Sequence, residues 1–291
     1  MTPRIFGWLL RRSVFAAFDD GCLAIAKGAA YSALLSFFPV LTSAATILVQ
    51  TRAEFVSRTL EDALSQIVPP GTEDLVVQQF RVTGARPVSL LIVAGIVSVW
   101  AASGVIKSLM DGFHDIYRVP RSRGFLQEQG LAIALVLLSA FPLICATGLV
   151  IFGAQVERTA LHWMKLDPAL TQLSGATRLV SRGARYLLAF VTMVSVTSML
   201  YFFGPFRRQR WRYVWPGAVL ATLCWLLATA GFAWYVRNIG NYNVMYGSVG
   251  AGIALLVWMY LMAVIALIGC EFNAEYERAS AGAARHSAQG K

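Results

Sequence analysis

The chain has 291 residues, 57% of them hydrophobic and only 14% charged, with a mean hydropathy of +0.60. Soluble domains carry about 45–50% apolar and about 25% charged residues, so this composition excludes a soluble enzyme and equally a disordered or fibrous chain. Twenty-five Lys and Arg against 15 Asp and Glu give a net charge of +10, which in a membrane chain reads as positive-inside bias and attraction to anionic lipid rather than a nucleic-acid footprint.

In chain order, residues 4–18 put Ile5, Leu9, Leu10, Val14 and Phe18 toward one side, with Arg4, Arg11 and Arg12 elsewhere. That is the pattern of an amphipathic helix lying in a membrane interface. Asp19-Asp20 interrupts before a long apolar core develops, so no cleavable signal is expected. Six stretches then reach the roughly 20 apolar residues that a membrane span needs. They are 26–49, 88–110, 130–152, 186–206, 214–236 and 248–270. Continuous runs of this kind predict helices, not the short alternating strands of a barrel.

Between spans, 54–67 aligns Val56, Leu60, Leu64 and Ile67 on one face before Pro69-Pro70-Gly71. Segment 167–182 opens on Asp167-Pro168, a helix-start signal. Both are expected to be short helices resting on the bundle. The expected architecture is therefore all-α: one polytopic membrane domain over 1–278, short interfacial helices, and a flexible tail over 279–291.

Orientation rests on Arg207, Arg208, Arg210 and Arg212, crowded into one short loop, against 238–247, which has no Lys or Arg. Both termini are expected in the cytoplasm. The 153–185 loop, with five basic residues, is the counterweight.

Few residues offer chemistry. The four cysteines form no CxxC pair, and His114, His162 and His286 are isolated. No metal site, cofactor or catalytic constellation is expected, and the chain is read as a non-enzyme. His114-Asp115 is the one neighbouring pair a nuclease could use. Gly28, Ser32 and Ser36 form a small-residue stripe, read first as close helix contact and alternatively as a cavity wall. Pro39 and Pro142 fall inside spans. Lys107 and Glu271 sit near span ends, and no ionisable group falls at a span's midplane, which weakens a proton-relay mechanism. Asn241, Tyr242 and Tyr246 crowd the turn before the last span, a polar mouth or a structural turn. Glu271 is expected to pair with an arginine of the 207–212 loop, tying the last helix to the hairpin before it.

Several runs resemble one family. AAYSALLSFFPVL at 29–41, LYFFGP at 200–205, RWRYVWPGAVLATLCWLLATAGFAWYV at 210–236 and NYNVMYGSVGAGIALLVWMYLMAVIALIGCEFNAEYE at 241–277 are similar in order and spacing to the YihY/BrkB bacterial inner-membrane proteins. The resemblance covers nearly the whole chain and implies an inner-membrane protein of about six spans. It carries over Tyr31, Ser36, Pro39, Pro216, Gly217, Trp225, Tyr242, Tyr246, Gly247, Trp258, Tyr260, Gly269 and Glu271 without roles; Lys107 departs from the pattern. Family labels include ribonuclease BN and virulence association, and transport or lipid handling has been suggested. The expectation is a transporter or lipid-handling protein with no nucleotide site of its own. A scaffold or a membrane-bound ribonuclease are the alternatives. Expected partners are anionic headgroups at the cytoplasmic face, with a homo-oligomer or protein partner left open and no specific nucleic acid.

Overall fold

The computed structural model describes residues 3–50, 88–120, 124–163, 175–207, 209–238 and 242–289. Among these, all regular structure is helical: α1 Pro3–Asp19, α2 Cys22–Gln50, α3 Val88–Tyr117, α4 Phe125–Trp163, α5 Gly175–Phe203, α6 Trp211–Asn238 and α7 Tyr242–Gln289. Six of them, α2 to α7, are long and apolar enough to cross a membrane. The fold is the expected polytopic helical bundle.

Local chemistry sets the boundaries. Pro3 opens α1, where a missing N–H costs nothing. Gly21 turns the chain into α2 with φ of 68°, a left-handed conformation that glycine adopts freely. Glu128 lies in the first turn of α4, where a carboxylate meets the positive end of the helix dipole. Pro39, Pro142 and Pro216 lie inside helices that continue through them, as membrane bundles tolerate.

Helices α2 to α7 form a ring in which each packs on its sequence neighbour and α7 returns to α2. The last helix also packs on α3, and α1 lies against it. We call the end that holds α1 and the C-terminal half of α7 the terminal end. Here the main core gathers: Leu109, Phe113 and Ile116 from α3, Tyr201 from α5, Val214 and Ala218 from α6, Leu267 and Cys270 from α7. The small-residue stripe of α2 closes on α3, since a Cβ at Gly104 would lie 3.2 Å from Ser32 Oγ and one at Gly28 3.6 Å from Ser108 Oγ. Close helix contact is therefore its role.

Three expectations change. In α1, Leu9, Ser13 and Ala17 are buried, while Ile5 and Phe18 are 51% and 61% exposed. The apolar residues thus form two strips, one on the protein and one facing outward with Trp8 and Phe15. The helical pattern of 175–182 is the start of α5, not a separate element. The last helix runs through residues assigned to a tail and ends at Gln289. Its 48 residues are about 72 Å long, over twice the roughly 30 Å of a bilayer core. Segment 54–67 lies outside the described residues, as does 167–174.

Candidate functional site

Two features of the bundle offer chemistry, one at each end, and the α6–α7 crossing links them. A Cβ at Gly217 would fall on the Gly269 carbonyl oxygen, and one at Gly269 would stand 2.5 Å from Tyr201 Oη. Only glycine permits this approach. Pro216 brings no N–H to the first turns of α6, and Asn273 serves the backbone there. Its Oδ1 accepts from the Gly217 N–H at 2.7 Å and its Nδ2 donates to the Val214 carbonyl at 2.8 Å. Tyr201 reaches across to donate to the Ala266 carbonyl at 2.6 Å.

One turn further, α7 carries a row of charges whose two carboxylates are buried. Glu271, Glu275 and Arg278 follow spacings of four and three residues, so they share a face. Glu271 is 0% exposed. Arg278 Nη1 stands 3.3 Å from Glu271 Oε1 and 2.6 Å from Glu275 Oε1, while Nη2 donates to the Ile116 carbonyl at 2.6 Å. Arg12 of α1 pairs with the second oxygen of Glu275. This corrects the expected pairing of Glu271: its partner is Arg278 on its own helix, not Arg207, Arg210 or Arg212. The tie from that loop is made instead by Arg207 to Glu277, with the guanidinium also 4.7 Å above the Tyr117 ring. The physical reason is reach, because Arg278 lies two turns along the same face. Arg212 stacks on Tyr213, and Arg208 lies outside the described residues.

Beside this row is a cavity of about 480 Å³, with Arg12, Asp19, Asp20, Tyr117, Arg118 and Glu275 in its wall. Arg118 has φ of 53°. It ends α3 in a Schellman arrangement, with the Val119 N–H donating to the His114 carbonyl at 3.0 Å. Glycine is the usual occupant of that position, and a side chain there costs about 1 kcal/mol. The Asp20 carboxyl is pushed above its ordinary range by burial, with Arg118 and Arg278 pulling it back.

Toward the other end, a groove of about 940 Å³ runs between α5, α6 and α7. Met193, Leu226, Ala230, Ala233 and Met262 supply carbon walls, with Trp225, Trp234 and Trp258 along it. Leu226 and Trp234 are 53% and 61% exposed, so the groove is open at its side. Two of its indoles are held in place. Trp225 Nε1 donates to the Met262 carbonyl at 2.8 Å, and Trp258 Nε1 to Thr229 Oγ1 at 3.3 Å.

The candidate residues are therefore not one constellation. Trp225 lines the groove, and Glu271 lies in the charged row. Tyr31 is 61% exposed on the outer side of α2, Ser36 is buried and donates to the Ala33 carbonyl, and Pro39 is half-buried beside it. Lys107 Nζ stands 4.4 Å from the centre of the Phe125 ring. The backbones of Tyr242, Tyr246 and Gly247 belong to the first turns of α7, whose side chains lie outside the description, as does all of Asn241. The sequence reading missed Asn273, Glu275, Arg278, Arg12 and Arg118. It also missed one juxtaposition: ligand-capable atoms of Asp111, His114 and Glu128 lie within 4.8 Å of one another. His114 and Asp115 do not form a shared surface site, because His114 is 2% exposed while Asp115 faces outward.

Six apolar spans around a small-residue core define a polytopic helical membrane protein. Residues 15–291 match the model of the family described as virulence factor BrkB, and the chain belongs to that family. It is 28% identical over 249 residues to the ribonuclease-like protein YfkH of Bacillus subtilis, covering 84% of this chain and 86% of that one. It is 29% identical over 274 residues to a UPF0761 membrane protein of Alkalilimnicola ehrlichii, covering 93% of this chain and 58% of the relative. A UPF0761 membrane protein of Tolumonas auensis is 25% identical over 272 residues, covering 91% and 86%. Several of these relatives are longer, and the chain spans about 60% or less of their length. No solved structure matches the chain.

Proposed function

We propose that this is a lipid-handling protein of the bacterial inner membrane, with both termini cytoplasmic and no nucleotide site of its own. The groove between α5, α6 and α7 carries the reading. It lies within three candidate spans, so its open side faces hydrocarbon, and an acyl chain of the bilayer is the occupant. Its volume of about 940 Å³ is that of a ligand site, about 300–1,000 Å³. Arg207, Arg210 and Arg212 at the terminal end support this orientation by the positive-inside bias. A reporter fused at Gln289 should be inactive if it requires export.

The test of function is lipid retention and transfer. Purified protein should keep acyl lipid in native mass spectrometry and speed lipid movement between leaflets of proteoliposomes. Ala230→Trp, which fills the groove from its wall, should abolish both while the protein stays folded. Retention and transfer unchanged by that substitution would overturn the assignment, and formation of a dimer lost in Ala230→Trp would make a second copy the occupant. The name of the Bacillus relative favours a nuclease instead. Against it stands the burial of His114, and divalent-dependent RNA cleavage lost in His114→Ala would replace the lipid reading.

A further inference from the structure

The cavity at the terminal end holds charges that the ion-pair row leaves over. Glu275 is shared by Arg12 and Arg278, and Arg278 also meets Glu271. These groups neutralise one another. Arg118, Asp19 and Asp20 also line the cavity, and among the described residues none of the three side chains makes a hydrogen bond or ion pair. A cation and two carboxylates thus line one cavity of about 480 Å³ without pairing with each other. Arg118, moreover, is an arginine where the backbone favours glycine, with φ of 53°. Gly21 solves the same left-handed turn without a side chain, at φ of 68°. Strain tolerated at a residue that lines a cavity points to use of its side chain.

The rim narrows the ligand. Phe15 lines the cavity and is 58% exposed, and Phe18 beside it is 61% exposed. Both belong to the outward strip of α1, whose sequence pattern is that of a helix lying in a membrane interface. A cavity lined by charges of both signs and by an exposed aromatic residue fits a group with a phosphate and a hydrogen-bonding ammonium.

We propose that this cavity binds phosphoethanolamine, with Arg118 on the phosphate and Asp19 and Asp20 on the ammonium. Arginine suits a phosphate by its planar fork of donors. The carboxylates accept hydrogen bonds that a primary ammonium can donate and a trimethylated one cannot. A glycerol headgroup offers them no charge. This site is separate from the groove and stands whether or not the groove holds an acyl chain.

Calorimetry on the protein in phosphatidylcholine nanodiscs tests it, with glycerophosphoethanolamine and glycerophosphocholine as soluble probes. Native mass spectrometry with phosphatidylethanolamine, phosphatidylcholine and phosphatidylglycerol forms the lipid arm. Preference for the ethanolamine form in the soluble arm assigns the free headgroup chemistry; preference only in the lipid arm assigns the membrane lipid. No preference in either overturns the site. Arg118→Gly should weaken binding at least about tenfold, the loss expected of a charge-assisted hydrogen bond. It should leave Tm equal or higher, because glycine suits that turn, which separates lost binding from lost folding. The double substitution Asp19→Asn with Asp20→Asn should keep phosphate binding and erase the preference for ethanolamine over choline. Binding unchanged in Arg118→Gly would also overturn the assignment. Ala230→Trp should leave this binding unaltered, so failure of the groove reading and failure of this one give different results.

Discussion

The terminal end and the opposite end of the bundle are built on different principles. At the terminal end, Tyr201, Phe113, Phe272, Leu267 and Glu271 are all 2% exposed or less, and α6 and α7 touch through glycines. Toward the other end, Leu227 of α6 and Ile144 of α4 are 74% and 70% exposed, as are Tyr186 and Leu187 of α5 at 61% and 63%. A second, smaller core of Ala30, Leu255 and Met259 holds α2 to α7 there. In water such exposure would be untenable; in hydrocarbon it is the expected surface. The difference teaches that this chain concentrates specific packing at one end, which leaves α5 and α6 free to line a side-opening groove. Regions that bind and release ligands are drawn from the less stable parts of a fold.

The contrast breaks most directly at Arg278. Arg278→Ala removes one guanidinium that serves two carboxylates and the Ile116 carbonyl. Glu271, at 0% exposure, would lose the cation that faces it while Glu275 keeps Arg12, and because the Arg278 side chain is 39% exposed the loss falls toward the low end of the about 3–5 kcal/mol that breaking a buried pair costs. Thermal unfolding in detergent should show a larger drop than either Gly269→Ala or Leu227→Ala produces. Arg278→Lys should recover part of it, since one ammonium cannot make the same fork of contacts. A Tm within a degree or two of wild type would show that the charged row is not what holds this end.

A smaller effect belongs to the helix crossing. Gly269→Ala places a Cβ 2.8 Å from the Ala221 Cβ and 2.9 Å from the Gly217 carbonyl oxygen. Backbone lies on one side, so the helices must separate, at a cost of about 1–3 kcal/mol. Leu227→Ala, on the 74% exposed surface of α6, should stay within about 0.5 kcal/mol. Equal losses from the two would erase the contrast between the ends.

Much of this architecture was legible in the residues. Long apolar runs can satisfy their backbone only as helices in a bilayer, so the six spans and the all-α class follow from composition alone. What could not be read is which residues meet. Glu271 was visible as a costly charge, and the spacing of Glu271, Glu275 and Arg278 already put all three on one face of a helix. The chain also offered four loop arginines as partners, and only the continuation of α7 as one helix past Glu271 favours Arg278 over all of them. Periodicity in 4–18 shows a helix but not which of its two apolar strips touches protein. Asn273 was hidden because its task, serving backbone beside Pro216, exists only once α6 and α7 cross. Val119-Pro120 signals a helix stop, yet the left-handed backbone of Arg118 has no signature in composition. The groove is a place where packing is omitted, and no residue pattern records an omission.

Even the well-packed end has a rim held at some cost, and pH should expose it. Burial is the larger cause that raises the Asp20 carboxyl above its ordinary value of 3.8, with Arg118 and Arg278 opposing it. A raised pKa means that the folded chain binds this proton more tightly than the unfolded chain does. The stabilising contribution is therefore full below the unfolded pKa and is lost as pH rises through the folded one. At neutral pH the charged carboxylate weakens the fold. Asp20→Asn, neutral throughout, should raise Tm slightly at pH 7, and the gain should shrink toward zero as pH falls through the carboxylate range. Unfolding of both proteins across pH 4 to 8 checks this, and a gain independent of pH, or a loss, would remove burial as the cause. If the same variant gains stability while blurring the choice between ethanolamine and choline, Asp20 is kept for what it binds, at the expense of the fold that holds it.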